Sequence, residues 1–132
     1  MKSKFLLCFA LVLGAILAGC STVAQQDPCK AVISALDKGD WVTLRKLAKP
    51  GMLANRSIDG WENSSRSGHA VCVGKLIQVE KNPEPPIAGK PYTKYSFLLM
   101  NKDGTPQIHW LQILVHEENG RKELLDFWKF GW

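Results

Sequence analysis

Two kinds of side chain in this sequence have the chemistry to move a proton or hold a metal: one acid in apolar company and three histidines. Asp126 stands between Leu125 and Phe127. A carboxylate held among apolar residues has a raised pKa unless it is paired, the condition a general acid or base needs. His109 or His69 is the candidate partner for it. The competing expectation is an Asp on a solvent-facing strand surface, and no carboxylate dyad or Ser/His pair accompanies it. His109 and His116 lie seven apart, so on one regular strand they point to opposite faces and cannot hold one metal. His116-Glu117-Glu118 opens like a zinc-protease helix motif, but the second His is missing and Asn119-Gly120 turns the chain at once. No metal site and no cofactor are therefore expected.

The four cysteines divide by position. Cys8 and Cys20 belong to a leader: Lys2 and Lys4, an apolar run from Phe5 to Ala18, then Leu17-Ala18-Gly19-Cys20. The run would make a helix of roughly 21 Å, short of the ~30 Å hydrocarbon core, which argues against a permanent span. Leu-Ala-Gly-Cys resembles the bacterial lipobox, cut just before a cysteine whose thiol takes a diacylglycerol. The resemblance implies a lipid on Cys20, with Ser21 rather than Asp after it directing the protein to the outer membrane, facing the periplasm. Two or more acyl chains hold stably where one binds only marginally. The remaining pair, Cys29 and Cys72, is expected to form a disulfide in an oxidising compartment. It would close a loop of about 44 residues, worth roughly 4 kcal/mol in the chain-entropy picture.

The chain reads as a cleaved leader (1–19), a lipidated polar tether (20–26) and one folded domain (27–132), long enough for a single core. After the leader, fifteen basic and twelve acidic residues leave a charge of +3. That is too mild for nucleic acid, which export already disfavours. Asp27-Pro28 reads as N-cap and first turn, with Cys29, Val32, Ile33 and Leu36 on one helical stripe and Gly39 as C-cap. Asp40 caps a second helix carrying Trp41, Leu44, Leu47 and Ala48. Only a short helical turn, Met52 to Asn55, is expected before a polar loop around Trp61. From Gly68 the period becomes two. The strand that follows carries Val71, Val73, Ile77 and Val79 against Cys72, Leu76 and Gln78, with a bulge expected at Gly74. The connection 81–91 holds four prolines. Strands over Tyr92–Asn101, Gln107–His116 and Lys122–Phe130 follow, joined by turns at Asp103-Gly104 and Asn119-Gly120.

Helices first and a curved antiparallel sheet second is an α+β order. It resembles the NTF2-like, cystatin-like superfamily, whose helix–Gly-Asp–helix opening is matched by Ala35-Leu36-Asp37-Lys38-Gly39-Asp40-Trp41-Val42-Thr43-Leu44 and whose last strand is matched by Glu123-Leu124-Leu125-Asp126-Phe127-Trp128. The resemblance implies helices on the concave face, a cone-shaped pocket, and a sheet of a kind that often pairs into a homodimer. Members bind ligands, scaffold assemblies or transform small molecules, so fold does not choose among these. The leading expectation is a non-enzymatic module, held to the membrane through lipid on Cys20. It would contact an envelope protein through the loop bearing Trp61 and through 81–91. The alternative is a pocket lined by Trp61, Trp110 and Trp128 that binds a small apolar ligand, or a proton-transfer enzyme using Asp126 with a histidine.

Overall fold

The computed structural model describes residues 27–66, 71–82, 86–87 and 89–130. The leader, Cys20, the tether and His69 lie outside the described residues. Helices α1 (Pro28–Lys38), α2 (Trp41–Leu47) and α3 (Leu53–Arg66) precede strands β1 (Val71–Lys81), β2 (Thr93–Asn101), β3 (Pro106–Glu118) and β4 (Arg121–Phe130). The strands form one open antiparallel sheet in the order β1-β2-β3-β4, so the class is α+β as expected.

Local chemistry sets the first two helices. Asp27 Oδ1 accepts from the Cys29 amide at 3.0 Å, and Pro28 occupies the first turn, where a missing N–H costs nothing. Gly39 ends α1 at φ 64°, a left-handed conformation that disfavours any Cβ. Asp40 then caps α2 through the Thr43 amide (3.1 Å) and hydroxyl (2.7 Å). The Thr43 bonds hold the Asp40 carboxyl below its usual range. The core lies between these helices and the sheet, with Val32, Leu36, Leu44 and Ile58 packed on Leu99, Leu111, Ile113, Val115 and Phe127.

The third helix is a correction. It runs over fourteen residues, not a single turn, and Trp61 lies on it rather than in a loop. Asn55, Ser57, Gly60, Asn63, Ser64 and Ser65 are weak helix formers, which is why the segment looks like coil in sequence. Ala54, Ile58 and Trp61 nonetheless recur at helical spacing, and the first two are fully buried. Arg45 of α2 bridges Asp59 at 2.9 Å and also pairs with Glu62, which Arg66 holds from the other side at 2.6 Å. These exposed pairs contribute little each but align α2 with α3.

Two irregularities decide which strand residues face the helices. In β1 the register slips between Val73 and Leu76 and again between Leu76 and Gln78. Gly74 sits in the first slip, as expected; a Cβ there would lie 2.9 Å from Met100 Cγ and 3.1 Å from the Leu98 carbonyl oxygen. Val73, Leu76 and Val79 therefore oppose Leu99, Phe97 and Tyr95 on the helix side, at a spacing of three rather than two. Of the expected set, Val73 and Val79 keep a common face, while Leu76 takes the place expected of Ile77. In β4, Val115 pairs with Leu124 but Leu114 pairs with Asp126, leaving Leu125 as the extra residue. Leu124 and Phe127, three apart, both join the core as a result. At the β3–β4 turn Asn119 and Gly120 both take positive φ (52° and 74°), the tight hairpin that the Asn-Gly pair predicts.

These contacts make opposite demands on two glycines. Gly74→Val should destabilise by roughly 1–3 kcal/mol through overpacking against Met100. Gly60→Ala, whose Cβ meets open space on a helix, should stabilise by about 0.5–1 kcal/mol. Urea unfolding of both variants checks this; equal midpoints would contradict the register described for β1.

Candidate functional site

Asp126, the sequence candidate for proton transfer, has a structural task. One carboxylate oxygen accepts from the Leu53 amide at 2.8 Å, the other from Ala54 at 3.1 Å and from its own neighbour Phe127 at 2.8 Å. Leu53 and Ala54 are the first residues of α3, so the acid of the last strand caps the third helix across more than seventy residues of sequence. All three donors are backbone amides, two of them the otherwise unpaired first amides of the helix. The slip at Leu125 turns Asp126 toward α3.

Neither of the two described histidines joins it. His109 lies five residues along β3 from Leu114, the partner of Asp126, which is roughly 17 Å of strand. His116 bonds the Pro91 carbonyl at 2.7 Å. Among the described residues no three of His, Cys, Asp and Glu gather to hold a metal, and no helix is long and apolar enough to cross a membrane.

Cys29 and Cys72 are both free thiols, so the expected disulfide is absent. The reason is the path of α1. Asp37, at its C-terminal end, accepts from the Val73 amide at 2.6 Å, beside Cys72. Cys29 is eight residues back, roughly 12 Å along the helix, and a disulfide needs Cα atoms within about 7 Å. Burial, reinforced by Asp27, pushes the Cys29 thiol up to about 12, which makes it unreactive. Cys72 is half-buried and directs its thiol at the carbonyls of Met100 and Asn101.

The tryptophans are divided by the sheet. Trp61 packs into the core against Phe127, with ring centroids 6.0 Å apart and tilted by 49°. Trp110 and Trp128 alternate away from the core residues Leu111 and Phe127, and the Trp128 indole N–H donates to Gln112 Oε1 at 2.8 Å on that far face. The three cannot line one pocket. Of the proposed contact surface, Trp61 is thus withdrawn into packing, while Pro86 and Pro91 of the connection are exposed.

One opening lies where the strands outrun the helices. A cleft of about 520 Å³ is lined by Asn101, Gln107, His109 and Lys129 on the sheet, Pro106 and Ile108 beside them, and Ser64 near the end of α3. Lys129 pairs with Leu111 and shares its helix-side face. Burial lowers the pKa of this half-buried amine. Neither Lys129 nor His109 has a hydrogen bond or ion pair among the described residues. Sequence reasoning gave His109 a different partner and missed Lys129, because Trp128-Lys129-Phe130 looks like ordinary alternation. The signal was there in part: a lysine two residues from Phe127, on the same face of the strand.

No protein-family model and no curated protein matches the chain.

Two outcomes check this assignment. Asp126→Ala should lose roughly 1–2 kcal/mol of unfolding free energy, the scale of a helix cap, and Asp126→Asn less, since an amide oxygen still accepts; an Asp126→Ala protein of unchanged stability would remove the cap. In thiol labelling of the native protein, Cys72 should react well before Cys29, and denaturation without reductant should expose both. Finding no titratable thiol at these positions would restore the disulfide.

Proposed function

We propose that this protein is an outer-membrane lipoprotein facing the periplasm, whose NTF2-like domain binds a target at the open end of its concave sheet. The observation that carries the binding role is the cleft at Lys129 and His109, where two nitrogen-bearing side chains are left without partners among the described residues. A recognition site needs a few convergent polar groups in a concavity of a few hundred Å³, and this cleft supplies them. The acid that would have supported proton transfer caps α3 instead, so the reading favours binding over conversion. Order and topology, three helices before a four-stranded antiparallel meander, support the NTF2-like assignment.

Anchoring rests on the leader and the Leu17-Ala18-Gly19-Cys20 motif. The diacylglycerol and amide-linked chains expected on Cys20 would hold the domain durably, because each buried methylene contributes about 0.8 kcal/mol. Mass spectrometry of the mature N-terminal peptide should find fatty acids on Cys20, and the protein should sediment with outer membranes. Cys20→Ser should abolish both the mass shift and the processing. A mature chain that begins elsewhere and carries no acyl group sinks the anchoring, whatever the cleft binds.

A further inference from the structure

The cleft has a definite chemical bias. Among the described residues its lining contains an ammonium group and an imidazole but no carboxylate. The Lys129 side chain is half-buried on the helix side of β4, without a counter-ion among the described residues. A cation removed from water and left unpaired is costly, and a bound anion offsets that cost. The wall next to it is fixed: Gln107 Nε2 donates to Asn101 Oδ1 at 2.6 Å, and Asn101 Nδ2 donates to Thr105 Oγ1 at 2.9 Å. Each of those amides keeps a second N–H, while Lys129, His109 and the Ser64 hydroxyl have no bond to this wall. All three can donate to oxygen, and Pro106 and Ile108 offer a small apolar surface for whatever carries that oxygen.

The cleft lies far from the point where the described domain begins. Asp27, where the domain begins, lies 3.8 Å from Lys122 near the β3–β4 turn. Lys129 is seven residues further along β4, roughly 23 Å of strand. Asp27 and the cleft thus lie at opposite ends of the sheet.

We infer that the cleft binds a small free oxyanion, a carboxylate or a phosphate monoester on a compact apolar body, held between Lys129 and His109. The inference rests on the cleft being the recognition site, and the test separates the two. The full lipidated chain in neutral detergent would be titrated with benzoate, phenyl phosphate, benzyl alcohol and benzylammonium, following the His109 ring and Lys129 side-chain NMR signals. Benzoate or phenyl phosphate should give saturable shifts, with the tighter of the two identifying the head group. Benzyl alcohol should bind roughly tenfold more weakly or not at all, the loss expected for one charge-assisted hydrogen bond. Lys129→Met should weaken the anion by about the same factor with the circular dichroism unchanged, and Lys129→Arg should restore much of it. Equal binding of benzyl alcohol and benzoate, or an anion affinity untouched in Lys129→Met, overturns the oxyanion but leaves a binding cleft. Saturation by none of the four probes overturns both. Shifts of the same signals on adding phosphatidylglycerol to phosphatidylcholine vesicles holding the protein would assign the site to lipid and overturn the free ligand.

Discussion

The bond from the Asp126 carboxylate to the first amides of α3 is the contact on which the rest of this fold turns. The first amides of a helix have no partner within it, and α3 lacks a capping side chain of its own at its start. Its composition is poor for a helix, so the end that begins it has unusual weight. The cap arrives from β4, the last element to be made, and fixes α3 against the outer edge of the sheet. Ala54 and Ile58 then close the core, Trp61 meets Phe127, and Ser64 reaches the mouth of the cleft. A carboxylate that looks like chemistry in the sequence is the joint between the first and last thirds of the domain.

What was legible follows the range of the interactions concerned. The boundaries of α1 and α2 could be read because Asp27, Pro28, Gly39 and Asp40 act within four residues of themselves. The Asn119-Gly120 turn and the break at Gly74 were legible for the same reason. The length of α3 was not, since its cap sits on another strand. The facing of β1 and β4 was misjudged because a single extra residue reverses every side chain beyond it, and nothing local announces one at Ile77 or Leu125. The disulfide failed on distance along a helix, which two cysteines in a sequence cannot report. The aromatic pocket failed because Trp61 and Trp128 are separated by the sheet itself.

The positions that escaped are also those that make the site. In the sequence, an acid of the last strand and a histidine of its neighbour read as a pair for proton transfer. The structure instead divides these groups: Asp126 is closed off by amides, whereas His109 stands with Lys129 in the open part of the sheet. Polar residues in this domain thus carry two unlike burdens, and only their partners distinguish them. A satisfied carboxylate stabilises the fold, and an unsatisfied ammonium waits for something from outside it.

That an uncovered region exists at all follows from backbone geometry. A helix advances about 1.5 Å per residue and a strand about 3.3 Å. The fourteen residues of α3 therefore make a rod of roughly 21 Å, whereas the thirteen of β3 extend for roughly 43 Å. No helix of this length, laid along or across the sheet, covers strands twice as long. The apolar residues Leu111, Ile113 and Val115 occupy the covered stretch of β3, and Gln107 and His109 line the cleft beyond it. At the outer strand the same shortfall leaves Leu76 and Val79 close to half exposed. The change from apolar to polar along one face of β3 marks where the roof ends, and in β4 Phe127 and Lys129 repeat it two residues apart. The cleft is what this sequence builds where its helices are too short for its sheet, and polar residues take over there from the core.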